Sequence, residues 1–276
     1  MYQLLGYYGS NTAGGTNVDT PAIPDGNFSA RGGTSGAAHW IFTEQYNLVA
    51  LGVFGASVTS AQLFDPLWNS VNIPQIYPVN LAIVPPDNPQ VMDLRMSQVQ
   101  VPMNEEIALQ LSNGAGAADP EYGLLWLLPS GQTMNVQQPT LTQPRIMATV
   151  TLTTATTAGV WTGYTNLTFT NPLKGGSYQV NGMYLVVAHA LAYRISFVRA
   201  PLYAGRKLTP GNLVENAYGN RPLRFLDSWL GPMGYFNNFE LPQVSLLGTT
   251  SEASATYTGY MDLTYLGQGM QVGMGG

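Results

Sequence analysis

Charged residues are scarce in this chain, and cysteine is absent. Asp, Glu, Lys and Arg make up 9% of its 276 residues, whereas a soluble domain usually carries about 25%. A compact monomer of 276 residues would expose roughly 11,000–12,000 Å². Its surface would then carry only about one charge per 450 Å². Such a sparse surface indicates that much of it faces other copies of the protein in an assembly. The lack of cysteine excludes disulfides, thiolate catalysis and cysteine metal sites.

Basic runs and long apolar runs are also missing. The net charge is −5 and no basic run is present, whereas direct binding of nucleic acid needs Lys and Arg to neutralise phosphates. The longest apolar stretch, 182–198, is too short to span a bilayer and contains His189 and Arg194. The first ten residues have neither a basic segment nor a long apolar run, so we expect no signal peptide.

Turn formers and strand formers dominate what is there. The 31 glycines, 19 prolines and 16 tyrosines indicate short strands joined by turns rather than long helices. Segments of strand character predict about eight strands on each side of a Pro- and Gln-rich stretch at 132–146. Eight strands per half is typical of a jelly roll. We therefore predict an all-β chain of two eight-stranded jelly-roll barrels in tandem, with one jelly roll carrying long extensions as the alternative.

The domain boundaries follow from the same segments. Residues 9–38 are rich in Gly, Thr, Ser, Asn and Pro and have no hydrophobic period. Ordering such residues costs about 1–2 kcal/mol each without apolar burial to offset it, so we expect this arm and the C-terminal tail to be ordered only by neighbouring copies. The predicted parts are an N-terminal strand and flexible arm (1–38), a first barrel (39–138), a linker (139–147), a second barrel (148–266) and a flexible tail (267–276).

Two local patterns carry sharper predictions. Within 92–101 the apolar alternation shifts by one residue, which predicts a β-bulge near Ser97–Gln98. The best helix signal is Asp65 followed by a proline. The segment 225–229 resembles it 162 residues later, but a similar pair of prolines lies 70 residues apart. Because these offsets disagree, no internal sequence repeat is established.

The residues that usually carry catalysis are few. The chain contains none of the common hydrolase, metalloprotease, P-loop or dinucleotide-binding motifs. His189 follows the apolar phase of its segment, so we place it at a hairpin turn or as a hydrogen-bonded core residue, and His39 has no better claim. Glu105 and Glu106 would point to opposite faces of a strand, whereas Asp119 and Glu121 flank Pro120 in a Gly- and Ala-rich loop. We therefore predict no enzyme, no catalytic or cofactor-binding residues and no cofactor, although scattered carboxylates leave room for a structural ion between subunits.

Arginines and aromatic residues complete the inventory. An unpaired buried charge is several kcal/mol unfavourable, so Arg194 and Arg224 are predicted to pair with carboxylates, and Asp227 is the nearest candidate for Arg224. Trp126 and Trp229 lie inside apolar runs, which favours core and interface packing of the aromatics. Aromatics on an exposed face would instead stack on sugars, and this leaves a lectin as the alternative function.

Several segments of the second half form a familiar series of turns and apolar strands. They are Asn171-Pro-Leu-Lys-Gly-Gly-Ser-Tyr-Gln-Val-Asn-Gly-Met183, Ala192-Tyr-Arg-Ile-Ser-Phe197, Asn220-Arg-Pro-Leu-Arg-Phe225, the segment at Trp229, Leu241-Pro-Gln-Val244 and Gly259-Tyr-Met-Asp-Leu-Thr-Tyr265. Their order over 171–266 resembles that in coat proteins of small non-tailed icosahedral bacteriophages, of the double jelly-roll kind found in finnlakeviruses and corticoviruses.

The resemblance implies a major capsid protein of an icosahedral virus, assembled in the host cytoplasm and located in the capsid of the virion. The partners it implies are further copies in a homotrimer with a pseudo-hexagonal outline, contacts between trimers, other capsid proteins such as a vertex protein, and a lipid membrane beneath the shell. The acidic chain argues against direct nucleic-acid binding. The alternative is a secreted β-sandwich carbohydrate-binding or surface-layer protein, which would share the low charge and the β-rich composition.

Overall fold

The described part of the protein consists of strands. The structure is a computed structural model that describes residues 2–11, 16–21, 29–32, 38–41, 45–55, 58–64, 90–103, 106–113, 119–130, 143–197, 210–214 and 232–267. Within these ranges no helix occurs, hence none that could cross a membrane, and the all-β prediction is confirmed. The strands are β1 (Gln3–Asn11), β2 (Thr16–Pro21), β3 (Ser29–Gly32), β4 (Ala38–Ile41), β5 (Tyr46–Gly55), β6 (Val58–Phe64), β7 (Gln90–Asp93), β8 (Val99–Val101), β9 (Glu106–Asn113), β10 (Asp119–Pro129), β11 (Arg145–Thr156), β12 (Thr165–Asn166), β13 (Thr168–Phe169), β14 (Ser177–Val186), β15 (Ala190–Ser196), β16 (Gly211–Leu213), β17 (Gly234–Asn237), β18 (Gln243–Gly248) and β19 (Glu252–Gly267).

The chain divides into two units. The N-terminal unit comprises Leu4–Gly131 with Ala158–Trp161, and the C-terminal unit comprises Met1–Gln3, Gln132–Thr157 and Thr162–Gly276. Each unit has its own hydrophobic core, which is the usual property of a domain.

The C-terminal unit has the strand order of a jelly roll. One sheet has the order β13-β11-β19-β14-β17 and the other the order β12-β18-β15-β16, and the neighbouring strands run antiparallel. β12 and β13 are short pieces on either side of Leu167, one in each sheet, so together they form one strand that passes between the sheets. Counted along the chain, the strands then have the orders 1-8-3-6 and 2-7-4-5. Eight antiparallel strands in two sheets arranged in this way define a jelly roll.

The strands of the N-terminal unit follow the same order. β1-β10-β5-β7 corresponds to the first sheet, with β8 also paired to β5, and β2-β9-β6 corresponds to the second. The hairpin of β3 and β4 is an excursion that pairs with β9 through β4. The described strands include no counterpart of β16. A short pairing of β1 with β2 joins the whole into one ten-stranded sheet. The two halves therefore share a topology although their sequences reveal no repeat.

β19 is the central strand of the C-terminal core. It pairs with β11 on one side and with β14 on the other. Met261 and Leu263 share one face of the strand, because successive side chains point to opposite faces. Both point inward and are fully buried. Each such side chain contributes roughly 1.5–3 kcal/mol through the apolar area it removes from water.

Strand β10 of the N-terminal unit is buried on both faces. Leu125 and Leu127 belong to the core of this unit, while Tyr122, Leu124 and Trp126 point the other way and are just as completely buried. The continuous apolar run at 122–128 predicted a central strand of this kind, and the prediction is confirmed.

The predicted irregular arm contains regular structure. β2 and β3 lie within 9–38, as do the last residues of β1 and the first of β4, so the expectation of an irregular chain is wrong for these residues. β2 pairs with β9, about ninety residues further along the chain, and local composition does not reveal so distant a partner. The flexibility of the arm and of the tail stays a prediction. The predicted linker ends inside β11, which begins at Arg145. The helix signal at Asp65 and the segment 225–229 lie outside the described residues.

The phase shift at 92–101 marks a larger interruption than a bulge. β7 and β8 both pair with β5, where Asp93 lies opposite Ala50 and Val99 opposite Leu48. The five residues between β7 and β8 form a turn closed by a hydrogen bond from the Ser97 amide to the Leu94 carbonyl (3.0 Å). The bulge prediction therefore found the position of the irregularity, but its extent is a whole loop.

Gly248 is expected to tolerate no side chain. A Cβ there would overlap the carbonyl oxygen of Thr157 and lie 2.9 Å from its carbonyl carbon, and backbone cannot move aside as a side-chain tip can. We expect Gly248→Ala to lower the free energy of unfolding by about 1–3 kcal/mol. Gly163→Ala is the control, because nothing lies within 4 Å of its added Cβ. Urea unfolding of both variants measures this, and equal stabilities would contradict the packing described here.

Buried tyrosines make the N-terminal unit sensitive to alkali. Burial raises the pKa of Tyr46 and of Tyr122 above the ordinary value of 10.0, so the unfolded chain releases these protons at lower pH than the folded one. Their contribution to stability is complete below pH 10 and is lost as the pH rises further. We expect Tyr46→Phe to flatten the fall of unfolding free energy above pH 10, by up to about 1.4 kcal/mol per pH unit. Urea titrations at several pH values measure the slope, and an unchanged slope would contradict the buried phenol.

Candidate interaction surface

The structure brings no catalytic constellation together in the described residues. His189 lies in the turn between β14 and β15, which connects the two sheets, so the turn was predicted but it is not a hairpin. Its Nδ1 is 3.2 Å from the Thr250 hydroxyl and its Nε2 is 3.7 Å from a Glu252 carboxylate oxygen. These side chains connect the turn between β14 and β15 with the turn between β18 and β19, and each of these turns leads from one sheet to the other. His39 belongs to β4, and its side chain is not among those described. No group of three or more His, Asp or Glu that could hold a metal occurs within the described ranges.

One of the two acidic pairs considered from sequence differs from expectation. Asp119 and Glu121 do not lie in the predicted loop, since β10 already begins at Asp119 and contains both residues. Glu121 is fully buried. Glu105 lies outside the described residues, and its neighbour Glu106 begins β9.

Arg194 is almost completely buried in β15. Its Nε donates to the Ser245 hydroxyl (3.4 Å), and its guanidinium lies 5.3 Å from the centre of the Tyr164 ring. Cation–π contact of this kind stabilises a desolvated guanidinium. A carboxylate partner for Arg194 stays a prediction. Arg224 and Asp227 lie outside the described residues.

One face of the five-stranded sheet in the C-terminal unit points away from the core, and we call it the outward face. It is formed by alternate residues of β11, β19 and β14, as the register requires. Its described members are Arg145, Met147, Thr149, Thr151 and Thr153 of β11, Thr256, Thr258, Tyr260, Asp262 and Thr264 of β19, and Gln179, Asn181, Tyr184 and Val186 of β14.

A polar network occupies one end of the outward face. The Asp262 carboxylate accepts hydrogen bonds from Arg145 Nε (2.8 Å), from Arg145 Nη2 and from Asn181 Nδ2 (3.3 Å). The amide of Asn181 also donates to the Thr264 hydroxyl (2.9 Å) and accepts from Gln179 Nε2 (2.8 Å). Asn181 is the extra residue of a bulge in β14, between Val180 and Gly182. The hydrogen bond to Asp262 raises the pKa of Arg145. Arg145 and Asp262 have opposite formal charges and form an ion pair, so the network adds no net charge to the face.

The rest of the outward face is uncharged and partly apolar. Met147 is 58% exposed, Tyr260 46% and Val186 37%. Tyr260 lies directly opposite Thr149 on one side and Tyr184 on the other, so these side chains adjoin one another. A sheet face that is exposed to water normally carries polar and charged side chains. This face instead presents threonines, aromatics and a methionine, which is the chemistry of a contact surface.

An exposed apolar side chain also stands on the turn between β7 and β8. Met96 is 97% exposed. Beside it, Asp93 binds both the backbone amide of Arg95 (3.0 Å) and its guanidinium (2.7 and 2.8 Å). The hydrogen bond from Arg95 lowers the pKa of Asp93. The turn therefore holds Met96 outward from an edge of the sheet.

Sequence reasoning did not identify the Arg145–Asp262 pair. The two residues are 117 positions apart, and Arg145 fell at the end of the predicted linker. The available signal was the alternation in the last strand, where Thr258, Tyr260 and Asp262 share one phase. That alternation indicates an outward face, but only the register of β11 brings Arg145 to it.

The chain is similar in structure to several viral proteins. One is the major capsid protein P2 of bacteriophage PM2, with 8% identity, 98% of this chain and 99% of that chain covered, and a TM-score of 0.27. Another is from the Sulfolobus Turreted Icosahedral Virus, with 10% identity, 95% and 79% covered, and a TM-score of 0.22. A third is from an archaeal virus with a triple jelly roll fold, with 10% identity, 95% and 78% covered, and a TM-score of 0.23.

No protein-family model matches the chain, and no curated protein matches it significantly. The all-β architecture is consistent with the class of the structural neighbours. At such TM-scores the likeness carries no argument about function.

The Arg145–Asp262 pair should respond unequally to loss of either partner. The Asp262 side chain is 6% exposed and that of Arg145 65%, so Arg145→Met leaves a buried carboxylate poorly paired, whereas Asp262→Asn leaves a guanidinium that water can solvate. We expect Arg145→Met to cost about 1–3 kcal/mol of unfolding free energy and Asp262→Asn less, as measured by urea unfolding. Asp93→Asn, at an exposed pair, is the control and should cost under about 1 kcal/mol. A larger loss in Asp262→Asn than in Arg145→Met would contradict this account.

Proposed function

We propose that this chain is the structural subunit of an icosahedral virus shell, a major capsid protein located in the capsid of the virion. The observation that carries the proposal is the combination of a jelly-roll strand order in a two-unit chain with a charged fraction of only 9%. Jelly rolls occur in viral capsids, lectins and cupins. A shell subunit buries its sides against neighbours, so it needs few charges to remain soluble, whereas a free-standing lectin or enzyme has no such cover.

The role proposed is structural and not enzymatic. Among the described residues, the groups that would serve catalysis are engaged in other contacts, such as His189 at a turn and Asp262 in its network. We infer that the protein uses no cofactor. A structural ion between subunits remains compatible with this role, because carboxylates of two copies would supply its ligands.

The finer organisation proposed is a homotrimer with a pseudo-hexagonal outline. Two units of the same strand order per chain give three copies six similar units, which supports such an outline. The further partners proposed are neighbouring trimers, other capsid proteins such as a vertex protein, and a lipid membrane beneath the shell. Direct contact with nucleic acid is not proposed, since the net charge is −5.

A carbohydrate-binding protein is the second candidate, because Tyr184 and Tyr260 adjoin polar groups on the outward face. Sugar recognition needs polar groups that are available to the ligand. Here the Asp262 carboxylate is already bound by Arg145 and Asn181, which favours the contact surface over the sugar platform.

Assembly of the purified protein tests the proposal. We expect electron microscopy to show regular particles or hexagonal sheets at micromolar concentration. Because contacts between uncharged surfaces are screened little by salt, the assemblies should persist as the salt is raised from about 0.1 M to about 1 M. A glycan array run in parallel should show no specific binding.

The contrary results are distinct from one another. A stable monomer under all salt and ion conditions would contradict the shell. Specific sugar binding by a discrete monomer or dimer would favour the lectin instead.

A further inference from the structure

We infer that the outward face of the C-terminal unit is covered by a second copy of this chain. The inference rests on the proposed function and names the partner of one particular surface. The face is uncharged apart from one internally neutralised pair, and its exposed large side chains are Met147, Tyr260 and Val186.

The N-terminal unit provides the first argument, because the equivalent face there is not exposed. By strand order, β10 corresponds to β19 and β5 to β14. The residues of β10 that point away from the N-terminal core are Tyr122, Leu124 and Trp126, and all are fully buried within this chain. Their partners on β5 include Phe54, which is 1% exposed. The same position in the fold is therefore covered by protein in one unit and partly uncovered in the other.

The composition of the face provides the second argument. Six threonines of β11 and β19 face outward, and the hydroxyls of Thr153 and Thr256 bond each other at 2.8 Å. An outward row of threonines, tyrosines and a methionine offers no net charge to attract a charged partner. It matches a surface that is equally poor in charge, and this chain, with 9% charged residues, has such a surface.

The Arg145–Asp262 pair fits this role. A lone arginine or aspartate on a face that becomes covered would be several kcal/mol unfavourable. Here Arg145 is bound in a fork to Asp262, which also receives the amide of Asn181. The face can therefore be covered by an uncharged surface without leaving a charge unpaired.

The absence of cysteine makes a direct test simple. Met147→Cys introduces the single thiol of the chain at a position that is 58% exposed in the free subunit. We expect maleimide to react at least about tenfold more slowly with this introduced thiol in assembled protein than in dissociated subunits. Phe239→Cys, on the turn between β17 and β18 and 84% exposed, reports the reactivity of a thiol outside the face.

A charge placed on the face tests the same inference independently. Tyr260→Asp should reduce association at least about tenfold in sedimentation experiments, because covering a new carboxylate without a partner costs more than about 1.4 kcal/mol. Tyr260→Phe is the matched control and should associate as the native chain does. Since Tyr260 is 46% exposed, unchanged thermal unfolding of the dissociated Asp variant would show that the loss is not a folding defect.

The outcomes separate this inference from the proposed shell. If Met147→Cys protein forms shells in which its thiol is as reactive as in free subunits, the face assignment is overturned and the shell is left intact. Small oligomers that protect the thiol of the Met147→Cys variant but never form shells would support the face and contradict the shell. A native chain that stays monomeric would overturn both.

Discussion

The register of β19 is the constraint on which the C-terminal unit depends. This last described strand lies between β11 and β14. The residues that it pairs with in both strands are more than seventy positions earlier in the chain. A slip by one residue would move Met261 and Leu263 out of the core and bring Tyr260 and Asp262 into it. The core, the outward face and the Arg145–Asp262 pair therefore all depend on the same register. The apolar burial on one face determines the register, and the polar face follows from it.

The two units use one topology with different surroundings. In the N-terminal unit both faces of β10 are apolar and buried, so its sequence reads as a continuous apolar run. In the C-terminal unit β19 alternates, with an apolar phase inside and a polar phase outside. The outward face of β19 therefore lacks the covering layer of protein that buries both faces of β10. A subunit that assembles can leave such a face uncharged, because association and not hydration provides its cover.

The scarcity of charge has a consequence for each charge that remains. In an ordinary soluble domain a surface ion pair contributes little. The exposed pair of Asp93 and Arg95 is of this ordinary kind, whereas Asp262, whose side chain is 6% exposed, depends on Arg145 to neutralise it on the outward face. Buried Arg194 is held by an aromatic ring and a hydroxyl.

Part of the architecture was predictable because it depends on local patterns. The strand character of segments such as 122–128 and 256–266, the turn at His189 and the position of the irregularity near Ser97 all follow from alternation and turn chemistry, which act over a few residues. The scarcity of charge likewise predicts an assembling protein, and this stays a prediction that rests on composition alone. Composition misled at β2 and β3, where Gly- and Thr-rich chain is held in strands by partners that local sequence does not specify.

The sequence by itself therefore determined the class of structure, the phase of its strands and the scarcity of charge. These properties depend only on overall composition or on alternation over a few residues. Only the tertiary structure decided which strands pair. Antiparallel pairing across a hundred residues depends on the simultaneous burial of several strands, and no short segment encodes it. That pairing made the two halves alike in topology and brought Arg145 to Asp262. It also left Met147 and Tyr260 together on a face that the chain itself does not cover.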